Sequence, residues 1–139
     1  MSFRLINEDD YDKGIFSLYS QLSPGYKCTR QYFNNFVKSL NTTHNIYVAE
    51  EDTKIIACAT FLIESKLIRN GSQIMHIEDI VVDKSNRGRG LGIDIVKLLV
   101  EKSKTMGCYK VILNCSDEYI DFYKKNGFIT KGCHMAIYH

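Results

Sequence analysis

Residues 87 to 92 read Arg-Gly-Arg-Gly-Leu-Gly, with Gly88, Gly90 and Gly92 at every second position. Before them stand Ile77, Ile80, Val81 and Val82, a β-branched run that predicts a strand. After them Leu91, Ile95, Leu98, Leu99 and Met106 recur at helical spacing. The pattern is therefore strand, glycine-rich turn, amphipathic helix. A turn of this kind exposes the first N–H groups of the helix, which have no partner within it. Glycine lets an anion approach that backbone, and the helix dipole with Arg87 and Arg89 supplies positive potential. A pyrophosphate is the ligand this arrangement suits. The bland alternative is an ordinary tight turn with solvated arginines.

Two common nucleotide loops are excluded by spacing. No Gly-Lys-Ser/Thr tripeptide is present, so the loop is not a P-loop. The dinucleotide fingerprint needs G-x-G-x-x-G and an acid closing a second strand about twenty residues on, and neither is found. What remains is Arg87-x-x-Gly90-x-Gly92 after a strand. It resembles the coenzyme A loop of the GNAT superfamily of N-acetyltransferases.

The rest of the chain reads as one domain, 1–139, of mixed elements. Arg4 to Ile6 predicts a short strand, and Asn7 or a nearby acid caps a helix to about Leu22 carrying Tyr11, Ile15 and Leu18 on one face. Ser23-Pro24-Gly25 ends it, and Thr29 caps a second helix with Phe33, Phe36, Val37 and Leu40. Ile46–Glu50 and Lys54–Ile63 predict a hairpin, with a further turn near Asn70-Gly71 before a central strand over Ile74–Val82. After the long helix, Lys110–Cys115 reads as a buried strand and Asp117–Asn126 as a short helix ended by Gly127. Phe128–Thr130 and His134–Tyr138 read as two terminal strands. The fold class is α+β, a mixed central sheet flanked by helices, in the order of the GNAT acyl-CoA N-acyltransferase fold.

Composition narrows the function. A net charge of +2 lacks the basic stripe of a nucleic-acid binder, so no nucleic-acid partner is expected. No apolar run approaches the roughly 18 residues of a membrane span, and the opening MSFRLINEDDYD has no signal-peptide core. A soluble, cytoplasmic protein is expected. The five cysteines, 28, 58, 108, 115 and 133, form no C-x-x-C pair, and 58, 108 and 115 sit in or beside apolar segments as small hydrophobes. The four histidines show no ligand spacing, so no metal is expected.

Beyond the loop, the strings HIEDIVVD, RGLG, GCYKVILNC and FYKKNGF, in that order and spacing, resemble the glucosamine-6-phosphate N-acetyltransferase family. The resemblance is dense from about Glu64 onward and loose before it. It implies acetyl transfer from acetyl-CoA to the 2-amino group of glucosamine 6-phosphate, in the route to UDP-N-acetylglucosamine, by a homodimer. It implies that acetyl-CoA lies in a splayed gap between the strands of Ile77–Val82 and Lys110–Cys115. Ile80, Val81 and Val82 would serve the pantetheine arm, and Arg87, Gly88, Arg89, Gly90, Leu91, Gly92 and Ile93 the pyrophosphate. Phe122 and Tyr123 would also contact the cofactor, with Tyr123 as proton donor to the departing thiolate. Ser23, Ser65, Lys66, Leu67, Ile68 and Tyr138 would border the sugar phosphate, together with Glu78, Asp79 and Asn114.

Two departures matter. Asn114 stands where the family commonly has an acid, and an amide accepts a hydrogen bond but takes no proton. Glu78 and Asp79 are then the nearby acids, and strand alternation points only one of them into a cleft. Tyr138 replaces a C-terminal arginine found in several relatives. Both departures fall at acceptor contacts, which leaves open an acetyltransferase for another small-molecule or protein amine, or a catalytically silent acetyl-CoA-binding protein.

Overall fold

A computed structural model describes residues 1–25 and 27–139. Five strands, β1 (Arg4–Leu5), β2 (His44–Glu51), β3 (Lys54–Ser65), β4 (Gln73–Val82) and β5 (Cys108–Ile112), form one sheet in the order β1-β2-β3-β4-β5. The first three pairings are antiparallel and β4–β5 is parallel, so the sheet is mixed as expected. The parallel step requires a crossover, which the long helix α4 (Leu91–Thr105) provides.

Helices cover both faces. On one, α1 (Ile15–Ser20) and α2 (Arg30–Ser39) set Ile15, Leu18 and Phe33 against Ile46, Val48, Cys58 and Val81. On the other, α4 sets Ile95, Val96 and Leu99 against Phe61, Met75 and Ile77. Each helix thus buries the stripe its periodicity marks. A one-turn helix α3 (Ile68–Gly71) fills the β3–β4 connection, and α5 (Ile120–Lys125) follows a 3-10 turn at Asp117–Tyr119.

The first predicted helix is broken. Asn7 caps a 3-10 turn, Glu8–Asp12, whose fully buried Asp10 closes a capping box and accepts two bonds from Arg4, at 2.9 and 2.7 Å. The chain then passes through Gly14 at φ 79° before α1 begins. That left-handed glycine lets Lys13 offer its carbonyl to Ile55 N–H at 2.8 Å, which ties the turn to β3 at the expense of a continuous helix.

The C-terminal elements also differ from expectation. β5 ends at Ile112 rather than Cys115, and its residues are exposed or half-buried rather than buried. It is the last strand of the sheet, so one side of its backbone has no neighbour among the described residues. Phe128–Thr130 and His134–Tyr138 are not strands. A strand needs a paired edge, and residues 128–139 lie outside the sheet with Met135, Ile137 and Tyr138 at 89%, 85% and 92% exposure.

Candidate active site

A cavity of about 730 Å³ opens where β4 and β5 part. Their parallel register runs from Gln73↔Cys108 only as far as His76↔Ile112. Beyond it, Ile77–Val82 of β4 and Asn114–Ser116 after β5 form opposite walls. This is the splayed gap implied by the sequence resemblance. Backbone groups on the β5 side of β4 are thereby left free for a ligand with amide groups of its own.

β4 carries an irregularity at the centre of that wall. Glu78 pairs with Thr60 and Val81 with Cys58, so Asp79 and Ile80 together face one residue of β3. Asp79 takes the left-handed conformation, φ 52°. This bulge reverses the inside–outside order of the strand. Met75 and Ile77 pack toward α4, yet Val81, an even number of residues later, packs with Ile15 and Leu18 on the opposite face. The expectation that only one of Glu78 and Asp79 reaches the cleft is corrected here, because the bulge breaks the alternation and both line the cavity.

The glycine loop closes one end. Gly90, at φ 83°, is the N-cap of α4 and contributes no side chain. The N–H groups of the first turn of a fifteen-residue helix are therefore directed at the cavity mouth, with their dipole behind them. A Cβ on Gly88, at φ 82°, would meet nothing within 4 Å, so that glycine serves backbone conformation rather than packing. Val82, Arg87, Gly88, Gly90, Leu91, Gly92 and Ile93 all line the space. Arg87 holds itself to the loop through Nε to the Val82 carbonyl, at 3.2 Å.

Arg89 does not. Its guanidinium makes a two-pronged pair with Glu51, at 2.8 and 2.9 Å, and donates to Asn86 Oδ1 at 2.7 Å. The Glu51 carboxyl is held below its ordinary pKa by that contact. Arg89 braces the loop from the β2–β3 turn and stands outside the cavity lining.

On the facing wall, α5 brings Phe122 and Tyr123 to the cleft. Tyr123 packs edge-on between Phe122 and Phe128, with ring centroids 5.1 and 5.6 Å away. Burial, with Cys115 and Tyr119 nearby, pushes its phenol pKa up. The hydroxyl is thus protonated at neutral pH and is a donor. Asn114, Cys115 and Tyr123 also border a smaller cavity, about 430 Å³, under the C-terminal segment. Cys115 is exposed on this wall instead of packed as a small hydrophobe, because β5 stops before reaching it.

Much of the expected acceptor set lies elsewhere. Ser23 is exposed just beyond Leu22, and Ser65, Lys66, Leu67, Ile68 and Tyr138 are absent from the cavity wall. Lys66 pairs with Glu64 at 3.0 Å, which also meets His76 Nε2 at 2.9 Å, and Leu67 is 99% exposed. Conversely, Gln21, Leu22, Asn86, Cys115, Ser116 and Tyr119 line the cavity without having been expected to. Asn86 and Ser116 had a sequence signal, as polar residues beside a loop motif and a short helix. Gln21 and Leu22 had none, since only packing of α1 against the sheet brings them there. Among the described residues no group of three or more His, Cys, Asp or Glu side chains is placed to hold a metal ion.

The acetyltransferase (GNAT) family model matches residues 10–128. The chain belongs to that family. It is 41% identical over 145 residues to a probable glucosamine 6-phosphate N-acetyltransferase of Oryza sativa subsp. japonica, covering 99% of this chain and 87% of the relative. A glucosamine 6-phosphate N-acetyltransferase of Dictyostelium discoideum is 39% identical over 142 residues, with 99% and 90% covered. The crystal structure of the Arabidopsis thaliana glucosamine-6-phosphate N-acetyltransferase superposes with a TM-score of 0.93 at 39% identity, covering 99% of this chain and 97% of that one. The GNAT fold therefore holds over nearly the whole chain, including the C-terminal segment outside the sheet.

Proposed function

We propose that this GNAT enzyme transfers acetyl from acetyl-CoA to the 2-amino group of glucosamine 6-phosphate, giving N-acetylglucosamine 6-phosphate and free CoA by direct attack in a ternary complex. The observation that carries the reading is the cleft between β4 and β5, with an anion-binding helix start at one end and a buried-side phenol on the wall. The relatives' names support the acceptor.

The residues fit the co-substrate. Arg87, Gly88, Gly90, Gly92 and Ile93 suit the pyrophosphate, and the free backbone of Ile80–Val82 suits the amides of the pantetheine arm. A backbone N–H near the bulge at Asp79–Ile80 faces the charge that develops on the thioester oxygen, a contribution of order 3 kcal/mol when aligned. Tyr123 donates to the departing thiolate.

The amine needs little help. A 2-amino sugar titrates near an α-amino group, ~8, so deprotonation at pH 7 costs only about 1 kcal/mol. Glu78 or Asp79 accepts that proton, directly or through water, while Asn114 accepts a hydrogen bond from the amine and orients it. The substitution of an amide for an acid at position 114 is then tolerable.

The acceptor side is completed by a second copy. The unpaired side of β5, the exposed Ile129, Met135 and Ile137, and the outlying Ser65–Ile68 and Tyr138 support a homodimer in which each subunit helps close the other's site. No helix among the described residues is long and apolar enough to cross a membrane.

The test is CoA release from acetyl-CoA with glucosamine 6-phosphate, unphosphorylated glucosamine or a lysine peptide. Turnover with the phosphosugar alone is expected. Turnover with the peptide instead would transfer the enzyme to a different amine, and acetyl-CoA binding with no turnover would make it a silent binding protein.

A further inference from the structure

Between the end of α1 and the glycine loop runs a chain of directional hydrogen bonds that no step of the reaction uses. Asp83 follows directly after β4, is only 4% exposed, and anchors to β3 through its N–H and the Ile56 carbonyl at 2.8 Å. One carboxylate oxygen accepts from Gln21 Nε2 at 2.7 Å, the other from Asn86 Nδ2 at 2.9 Å. Gln21 Oε1 in turn accepts the Lys84 N–H at 2.8 Å. Asn86 Oδ1 accepts from Arg89, which Glu51 holds. Gln21 thus hooks the end of α1 onto the first residues of the loop that leads to Gly88 and Gly90. The Asp83 carboxyl stays below its ordinary pKa chiefly because Gln21 donates to it. Lys54 Nζ adds a weak pair at 3.9 Å.

Each end of this relay borders the cavity. Asn86 and Arg87 line it at the glycine loop, and Gln21 with Leu22 line it from α1, next to Ser23. The amide of Gln21 is committed to Asp83 and Lys84, so it acts as a strut and leaves Leu22 to face the cavity. We propose that Gln21 and Asp83 are positioning residues that couple the acetyl-CoA loop to the acceptor side of the cleft, so that each substrate organises the site for the other. This rests on the activity proposed above. Coupling of this kind is reciprocal, because a shared element biased by one ligand is biased for both.

The polarity of the relay supplies its test. Asp83→Asn sets a donor against the donor of Gln21 or of Asn86, and Asn86 cannot turn its amide without losing Arg89. Gln21→Glu sets a carboxylate against the Asp83 carboxylate. Combined, the two substitutions restore the hydrogen bonds of the relay, though not the weak Lys54 pair, since the new amide donates to the new carboxylate while Lys84 N–H and Asn86 keep their acceptors. Each single variant is expected to raise KM for acetyl-CoA and for glucosamine 6-phosphate together, about tenfold, with kcat within about twofold. The double variant should return both within about threefold of the unsubstituted enzyme. Gln21→Met, which removes the polar head without repulsion, gives a milder rise in both should a charged single variant fold poorly.

A rise in only one KM, or a double variant no better than the worse single, overturns the coupling. So does a lowered melting temperature with both KM values unchanged, which assigns Asp83 to stability alone. No turnover of the phosphosugar by the unsubstituted protein overturns the acceptor reading and this coupling together. Normal turnover with the wrong variant pattern overturns the coupling alone.

Discussion

The stretch from Ile77 to Ile93 and the stretch from Asn114 to His139 contribute opposite walls to one cavity, but they are built on different terms. The first is contiguous in sequence, runs from the second half of β4 into the start of the longest helix, and lines the cavity along most of its length. The second begins where β5 loses its partner and ends in a segment outside the sheet, with large apolar side chains in solvent. A donor site that the acetyltransferases of a family need in common can be a local motif. An acceptor site that distinguishes among amines draws on distant pieces, and here several of the residues expected to form it lie outside the cavity wall.

The comparison breaks most decisively at the tail. Met135→Asp with Ile137→Asp places charges on two side chains that are 89% and 85% exposed in this chain. A monomeric enzyme would tolerate them, since such surface changes stay within about 0.5 kcal/mol. If a second copy covers the tail, each charge becomes an uncompensated buried one, and assembly weakens by several kcal/mol. The expected result is a monomer by sedimentation, with phosphosugar turnover reduced about 100-fold, a loss of roughly 3 kcal/mol. Acetyl-CoA affinity should stay within about twofold, because the donor half is complete in one chain. Unchanged sedimentation and turnover would show that the tail is merely surface.

A smaller effect is expected where the two walls meet. Tyr123→Phe keeps the edge-on packing with Phe122 and Phe128 and removes one hydroxyl. Loss of a proton donor to the thiolate should lower kcat about 30-fold, just below the usual contribution of a general acid because a thiolate is a good leaving group, and leave acetyl-CoA affinity unchanged. Equal loss of affinity and turnover would mean that the ring positions the thioester and the hydroxyl is incidental.

The same asymmetry explains what could be read from the sequence. Five strands, the mixed sheet, α2 and the crossover helix follow from periodicity and capping, which act over a few residues. Arg87, Gly88 and Gly90–Gly92 could be set together from the sequence because they form one loop, whereas Ile80–Val82 and Ile93 came from the family resemblance; all of them line the cavity. The broken first helix was not, since Gly14 is used to reach β3, a tertiary choice. Nor was the pairing of Glu78 and Asp79 in one cavity, because a single extra residue on β4 changes which face its neighbours occupy. The terminal strands failed for a different reason. Their sequence has strand pattern, but a pattern forms a strand only against an edge, and no edge of this sheet receives them. Gln21 was invisible for want of any local signature.

The finest distinction lies within the donor loop, between two arginines that the sequence treats as equals. Arg87 lines the cavity and spends one nitrogen on the Val82 carbonyl, which leaves its two terminal nitrogens for the proposed pyrophosphate contact. Arg89 gives its fork to Glu51 and Asn86. Arg87→Ala should therefore remove a direct charge–phosphate contact and weaken acetyl-CoA binding about tenfold, measured by calorimetry. Because the contact is ionic and exposed, part of its effect should fade as salt is raised. Arg89→Ala should cost only about two- to threefold, through a looser loop, since an exposed ion pair contributes at most about 1 kcal/mol. Glu51→Gln then becomes the deciding control. If Arg89 is a brace, Glu51→Gln weakens binding as Arg89→Ala does, and the double substitution adds nothing further. If Arg89 swings to the pyrophosphate when acetyl-CoA binds, freeing it from Glu51 tightens binding instead, and the two arginines are equals after all.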